Sequence, residues 1–209
     1  MNNFSFGQDI KCQIVRATPR DVATFGAPRS LRGPSAAAAV AEAAFGGFFD
    51  VKCMRPDGTT RWSKRVKNGI TNQGLNKILN VMFQSATPIT TWYLDLIATG
   101  ATLAAADTYA THGGWAYTTS TNYSNATRPI WAPAASTAQS STNTATVDFT
   151  MNATCTINGI AVVAGSSTKA DTASGTGVLW ATGSFPGGEQ ATIAGDTLKM
   201  TYTCNAAAA

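Results

Sequence analysis

TVDFTMNATCTI, residues 146–157, alternates without a break. Val147, Phe149, Met151, Ala153, Cys155 and Ile157 are apolar, and Asp148, Thr150, Asn152, Thr154 and Thr156 lie between them. A period of two sends alternate side chains to opposite faces, so the stretch predicts a strand with one face in a core. Asn158-Gly159 follows and predicts a tight turn, with IAVVAG returning as a second strand.

The same pattern recurs nearby. In TLKMTYTC, 197–204, Leu198, Met200, Tyr202 and Cys204 share one face. GVLWATGSF, 177–185, and TTWYLDLIATG, 90–100, are strand-like, and GSSTKADTASGTG and SFPGGEQ supply turn residues between elements. FFDVKCMRPDGTTRWSKRV, 48–66, predicts a hairpin about Pro56-Asp57-Gly58, where Pro presets φ and Gly tolerates positive φ. ITNQGLNKILNVMF, 70–83, predicts a helix capped by Thr71 or Asn72, with Leu75, Ile78, Leu79 and Met82 as one apolar stripe. Residues 49–209 are therefore expected to be mainly β: an antiparallel β-sandwich, Ig-like or jelly-roll-like, with one helix near 71–83.

Residues 1–48 read differently. Pro19, Pro28 and Pro34 interrupt regular structure, and Arg16, Arg20, Arg29 and Arg32 make the segment basic. It predicts an extended arm, with a short alanine-rich helix at 36–45 closed by Gly46-Gly47. The charge is unequal along the chain: residues 1–70 hold eleven Lys/Arg against five Asp/Glu, and the remainder four against six. The net +4 thus belongs to the N-terminal third. The C-terminal two thirds lack the basic stripe that phosphate binding requires, which argues against nucleic acid as a partner.

Charged residues are 12% of the chain, about half the usual share. Thr, Ser, Asn, Ala and Gly replace them, as suits β-domains whose uncharged surfaces pack on neighbours. The first residues lack the apolar run of a secretory signal, and 36–49 is too short to span a bilayer, so no membrane is expected. Cys12, Cys53, Cys155 and Cys204 have no metal-like spacing. They are expected as free, buried thiols, with Cys155 and Cys204 as candidate strand neighbours. No metal and no cofactor is expected.

DTYATHGGWAYTTSTNYSNATRPIW, 107–131, is the segment richest in functional side chains. It holds the sole histidine, His112, with Trp115, Trp131 and three of the five tyrosines. As a catalytic site it is poor: His112 has Asp107 nearby but no nucleophile, and no hydrolase, zinc-protease or nucleotide motif occurs. A glycan-cleaving carboxylate pair is the enzymatic alternative. Two other readings stand: a structural one, with Gly113-Gly114 as a turn and Trp115 plugging the core edge, and a contact surface. For contact, the residues are His112, Trp115, Tyr117, Tyr123, Arg128 and Trp131, rigid aromatics among small hydrogen-bonding residues.

Five blocks in one order complete the reading: KNGITNQGLN, TWYLDLI, ADTYATHGGW, NYSNATRPIW and SGTGVLWATGSF. Across 66–204 they resemble a family of small structural proteins of tailed bacteriophages, with patterns T-N-x-G-L-N, T-W-Y-x-G-L-I, A-D-T-x-x-x-H-x-G-W and A-T-R-P-x-W. The chain departs from them at Asp95, where the pattern has Gly. The resemblance implies a virion protein of the head-decoration or tail-fibre type. Residues 1–48 would anchor it, through Arg16, Arg20, Arg29 and Arg32, to capsid, portal/adaptor or tail proteins. It also implies self-association in the particle and, for a fibre or collar, a host-surface glycan as partner.

Overall fold

A computed structural model of the chain describes residues 43–112, 116–118, 121–169 and 176–208. Eleven strands form two antiparallel sheets packed face to face, with one helix. The strands are β1 Ala43–Met54, β2 Thr60–Lys67, β3 Gly69–Ile70, β4 Trp92–Ala98, β5 Ile130–Trp131, β6 Ser140–Thr142, β7 Val147–Thr150, β8 Cys155–Ala164, β9 Val178–Ser184, β10 Gln190–Thr192 and β11 Thr197–Ala208. One sheet runs β2-β1-β11-β6, with β7 also pairing β11. The second runs β3-β9-β8-β4-β5, with β10 also pairing β8. The helix, α1, spans Asn72–Phe83. Among the described residues, no helix is long and apolar enough to cross a membrane.

The core follows from the alternation. Phe49 and Val51 on β1, Phe149 on β7 and Leu198, Met200 and Tyr202 on β11 meet Leu94, Leu96, Ile160 and Val162 of the second sheet. The β1–β2 hairpin turns at Pro56-Asp57-Gly58 as expected. Gly58 takes φ +82°, and Asp57 Oδ1 accepts the Thr59 N–H at 2.8 Å.

Three expectations are corrected. Asn158-Gly159 does not turn: both residues lie inside β8. A Cβ on Gly159 would lie 2.0 Å from the Gly183 carbonyl oxygen, so the glycine serves the close approach of β9. The chain breaks instead at Asn152–Thr154, where it leaves the first sheet for the second. The alternation survives the crossing because both sheets face one core: Phe149 and Met151 point into it from one side and Ile157 from the other.

The second correction is at the N-terminus. Residues 43–48, placed in the arm, and Gly46-Gly47, read as a helix stop, belong to β1. Ala43–Phe48 pair with Ala208–Thr203, and a Cβ on Gly47 would lie 2.1 Å from the Thr203 oxygen. Strand pairing over twelve residues overrides the helix propensity of alanine. Residues 36–42, and the rest of the expected arm, lie outside the described residues.

Third, Cys155 and Cys204 are not strand neighbours. Cys155 pairs with Thr192 in the second sheet, whereas Cys204 pairs with Gly47 and Ser141 in the first. Both thiols are free and half-buried, and Cys53 is free and fully buried.

Asp196 ties the crossing to the β1–β2 hairpin. Its carboxylate takes two bonds from Arg61, at 2.7 and 3.1 Å, and one from the Ile193 N–H at 2.9 Å. Its backbone oxygen accepts the Met151 N–H at 2.8 Å, just before the break. Burial works against ionisation here, but the Arg61 guanidinium and the Ile193 amide outweigh it and hold the carboxyl below its ordinary 3.8. A depressed carboxyl contributes stability that is full above 3.8 and lost as pH falls through the folded value. Asp196→Asn is therefore expected to melt lower at pH 7 and to show a shallower acid limb than wild type. Melting curves from pH 7 to 2 check this, and parallel limbs would contradict it.

Candidate functional site

The second sheet carries apolar residues on both faces. β4 has four consecutive buried residues, Leu94 to Ile97, and β8 is buried from Gly159 to Ala164. The inner face belongs to the sandwich core. Its outer face, with Ile97, Ala161, Val163 and Leu179, is covered by Tyr109 and Tyr117 from the segment after β4. The tyrosine-rich stretch thus closes over a sheet face that water would otherwise wet.

A charge lies under this cover. Asp95 projects to the outer face of β4, and its Oδ2 accepts Arg128 Nε–H at 2.5 Å, with both side chains wholly buried. Asp95 Oδ1 accepts the Leu96 N–H at 2.8 Å and the Tyr123 hydroxyl at 3.1 Å. Arg128 Nη1–H donates to the Tyr109 hydroxyl at 2.7 Å and to the Ser166 carbonyl at 2.9 Å. The guanidinium carbon lies 4.6 Å from the Tyr117 ring centroid and 5.5 Å from that of Tyr109. Burial pushes the Asp95 carboxyl upward, against Arg128 and the two other donors, and it also raises the Tyr117 and Tyr123 phenols.

The other blocks bind into the same unit. Gln73 Oε1 accepts the Tyr109 N–H at 2.9 Å and the Leu179 N–H at 2.8 Å, and Gln73 Nε2–H donates to Gly177 O at 3.1 Å. Thr71 caps α1 by accepting the Gly74 N–H and donates to the Leu179 carbonyl. Gly74 sits against Trp180, where a Cβ would meet the carbonyl oxygen at 2.7 Å. Trp92 and Trp131 are register partners between β4 and β5.

The expected contact residues therefore separate. Tyr117, Tyr123 and Arg128 are buried in the clamp. His112 packs edge-on against Tyr117 at 5.3 Å. Trp131 lies across the sheet, facing a different cavity, and Trp115 lies outside the described residues, as do Arg16, Arg20, Arg29 and Arg32. Asp107 closes a turn by accepting the Ala104 N–H at 2.9 Å. Among the described residues, no three His, Cys, Asp or Glu side chains are grouped to hold a metal.

That different cavity was not anticipated as a unit. Trp92, Trp131 and Trp180, from three strands, converge at the open edge of the sandwich with Ile78 of α1 and Cys204 of β11. The space they border, with Phe45 at one end, is about 410 Å³. Spacing in sequence gives no sign of it, because the three indoles lie on three strands: Trp92 and Trp131 are register partners, and Trp180 sits at the register shift between β8 and β9. No family profile, curated protein or solved structure matches the chain.

Gly177 tests the clamp directly. A Cβ there would lie 2.2 Å from the fully buried Tyr109 ring, which is itself held by Arg128 and Gln73. Gly177→Ala is expected to cost about 1–3 kcal/mol by overpacking. Chemical denaturation monitored by near-ultraviolet dichroism checks it, and wild-type stability would contradict it.

Proposed function

We propose that the protein is a non-enzymatic structural component of a tailed bacteriophage virion, a capsid decoration or minor capsid protein attached through its N-terminal arm. Its partners are other virion proteins (capsid, portal/adaptor or tail) and further copies of itself. The observation that carries the reading is the exposed face of α1. Of the apolar stripe, Leu79 and Met82 are 52% and 66% exposed, and Phe83 beside them is 68% exposed. Gly74 and half-buried Ile78 make the inward contacts instead. A contiguous apolar ridge on a folded domain fits a surface covered in an assembly.

Two further points support assembly over catalysis. Residues from the five blocks that resemble the phage family are hydrogen-bonded to one another: Gln73 to Tyr109, Gly177 and Leu179, and Arg128 to Asp95 and Tyr109. The carboxylates among the described residues are committed to structure: Asp50 to Arg65, Asp95 to Arg128, Asp148 to Lys199, Asp196 to Arg61, and Asp57, Asp107 and Glu189 to backbone amides. A second reading, a tail-fibre or collar component that binds host-surface glycan, draws its support from the tryptophan cavity.

The arm gives the test. Because β1 starts at Ala43, the cut that spares the sandwich removes residues 1–42. The truncated protein is expected to melt like the full chain and to fail to co-sediment with particles assembled without the native copy. Incorporation equal to the full-length protein would remove the arm from the anchoring role.

A further inference from the structure

We infer that the tryptophan-lined cleft is a binding site for a neutral oligosaccharide. Trp92, Trp131 and Trp180 form its wall, and its volume of about 410 Å³ falls in the range of small-ligand pockets. Trp92 is half-buried, whereas Trp131 and Trp180 are 7% and 8% exposed; the face a flat indole leaves open matches the C–H face of a sugar ring at little cost in side-chain entropy. The rim is polar but uncharged: Ser136, Gln139, Ser141 and Asn205 border the space. Among the described residues, no carboxylate, amine or guanidinium borders it to compensate an acidic or basic ligand. Hydroxyl and amide groups around an aromatic wall suit a ligand that is apolar on its ring faces and hydroxylated at its edges.

Two further observations point to an occupant. The Trp131 side chain is 7% exposed, and its indole nitrogen has no hydrogen-bond partner among the described residues. Trp180, beside it, donates its indole N–H to the Tyr202 hydroxyl at 2.9 Å. That nitrogen is itself closed to solvent, so a sugar hydroxyl supplies the missing acceptor only where the indole turns toward the cleft. The rim is also strained. Thr137 and Ser140 exchange backbone bonds at 2.9 and 3.0 Å around Ala138 and Gln139, which take φ +48° and +57°. A two-residue turn of this hand favours Asn-Gly, so Ala-Gln there costs stability and sets Gln139 on the rim.

The inference does not depend on the virion reading, because saccharide binding and particle incorporation are scored by separate assays. Calorimetric titration of the full-length protein with maltotetraose, cellotetraose and N-acetylglucosamine tetramer, against sialyllactose as the acidic control, tests it. At least one neutral saccharide is expected to bind, and sialyllactose to bind more weakly. Trp92→Ala is expected to lower that affinity by about tenfold or more. Gln139→Gly is the decisive second variant: relief of the positive φ should leave melting unchanged or raised while affinity falls. Silence of all three neutral saccharides overturns the inference, whatever apolar peptide the groove then accepts. So does wild-type affinity in folded Trp92→Ala or in Gln139→Gly, or a preference for sialyllactose.

Discussion

The contact between Arg128 and Asp95 constrains the rest of the second sheet. Both side chains are withdrawn from water, so neither charge is tolerable without the other. Asp95 is fixed by its strand, and Arg128 sits just before β5. Satisfying the pair goes with the placing of Tyr109 and Tyr117 over the outer face of the sheet. The tyrosines then fill the space: the Tyr109 and Tyr123 hydroxyls bond Arg128 and Asp95, beside the Leu96 N–H and the Ser166 carbonyl, and Tyr117 lies under the guanidinium. Tyr109, Tyr117 and Tyr123, outside the long strands, are thus held by one ion pair and its partners.

This arrangement also leaves Asp95 poorly placed for proton transfer. A general base needs access to substrate and a pKa near the working pH. Asp95 is sealed beneath tyrosines, and its charge is matched by Arg128 at 2.5 Å. Tyr117 and Tyr123, which read as contact residues, are instead buried around this pair. The side chains left open to partners lie elsewhere, on the outward ridge of α1 and in the cleft of Trp92, Trp131 and Trp180.

Strands with one buried face were legible from their alternation alone, as at Phe149 and at Leu198-Met200-Tyr202. So was a cap of α1 at Thr71 or Asn72, a role that Thr71 fills. The misreadings share a cause: local signals lost to close approaches between strands. Asn158-Gly159 is a turn pair by itself, but Gly159 is needed where β9 comes within 2.0 Å of a Cβ. Gly47 misled in the same way at β11. The stripe on α1 has a helical period, yet period alone does not say which face meets the sheet. Gly74 against Trp180 decides that. The partner of Arg128 was hidden because Asp95 is 33 residues away and its role exists only on the outer face of β4. The one hint was that Asp95 departs from the glycine of the resembling pattern.

The central claim is that Arg128 and Asp95 act as one structural element. A double-mutant cycle with Arg128→Met and Asp95→Leu, followed by urea denaturation, tests it most directly. Each single change strands a buried charge and is predicted to cost about 3–5 kcal/mol. The double variant, with two apolar side chains facing each other, is predicted to recover most of that loss, with a coupling of about 2 kcal/mol or more. Additive losses, or a single variant as stable as wild type, would contradict the account and release the segment at 107–131 for another role.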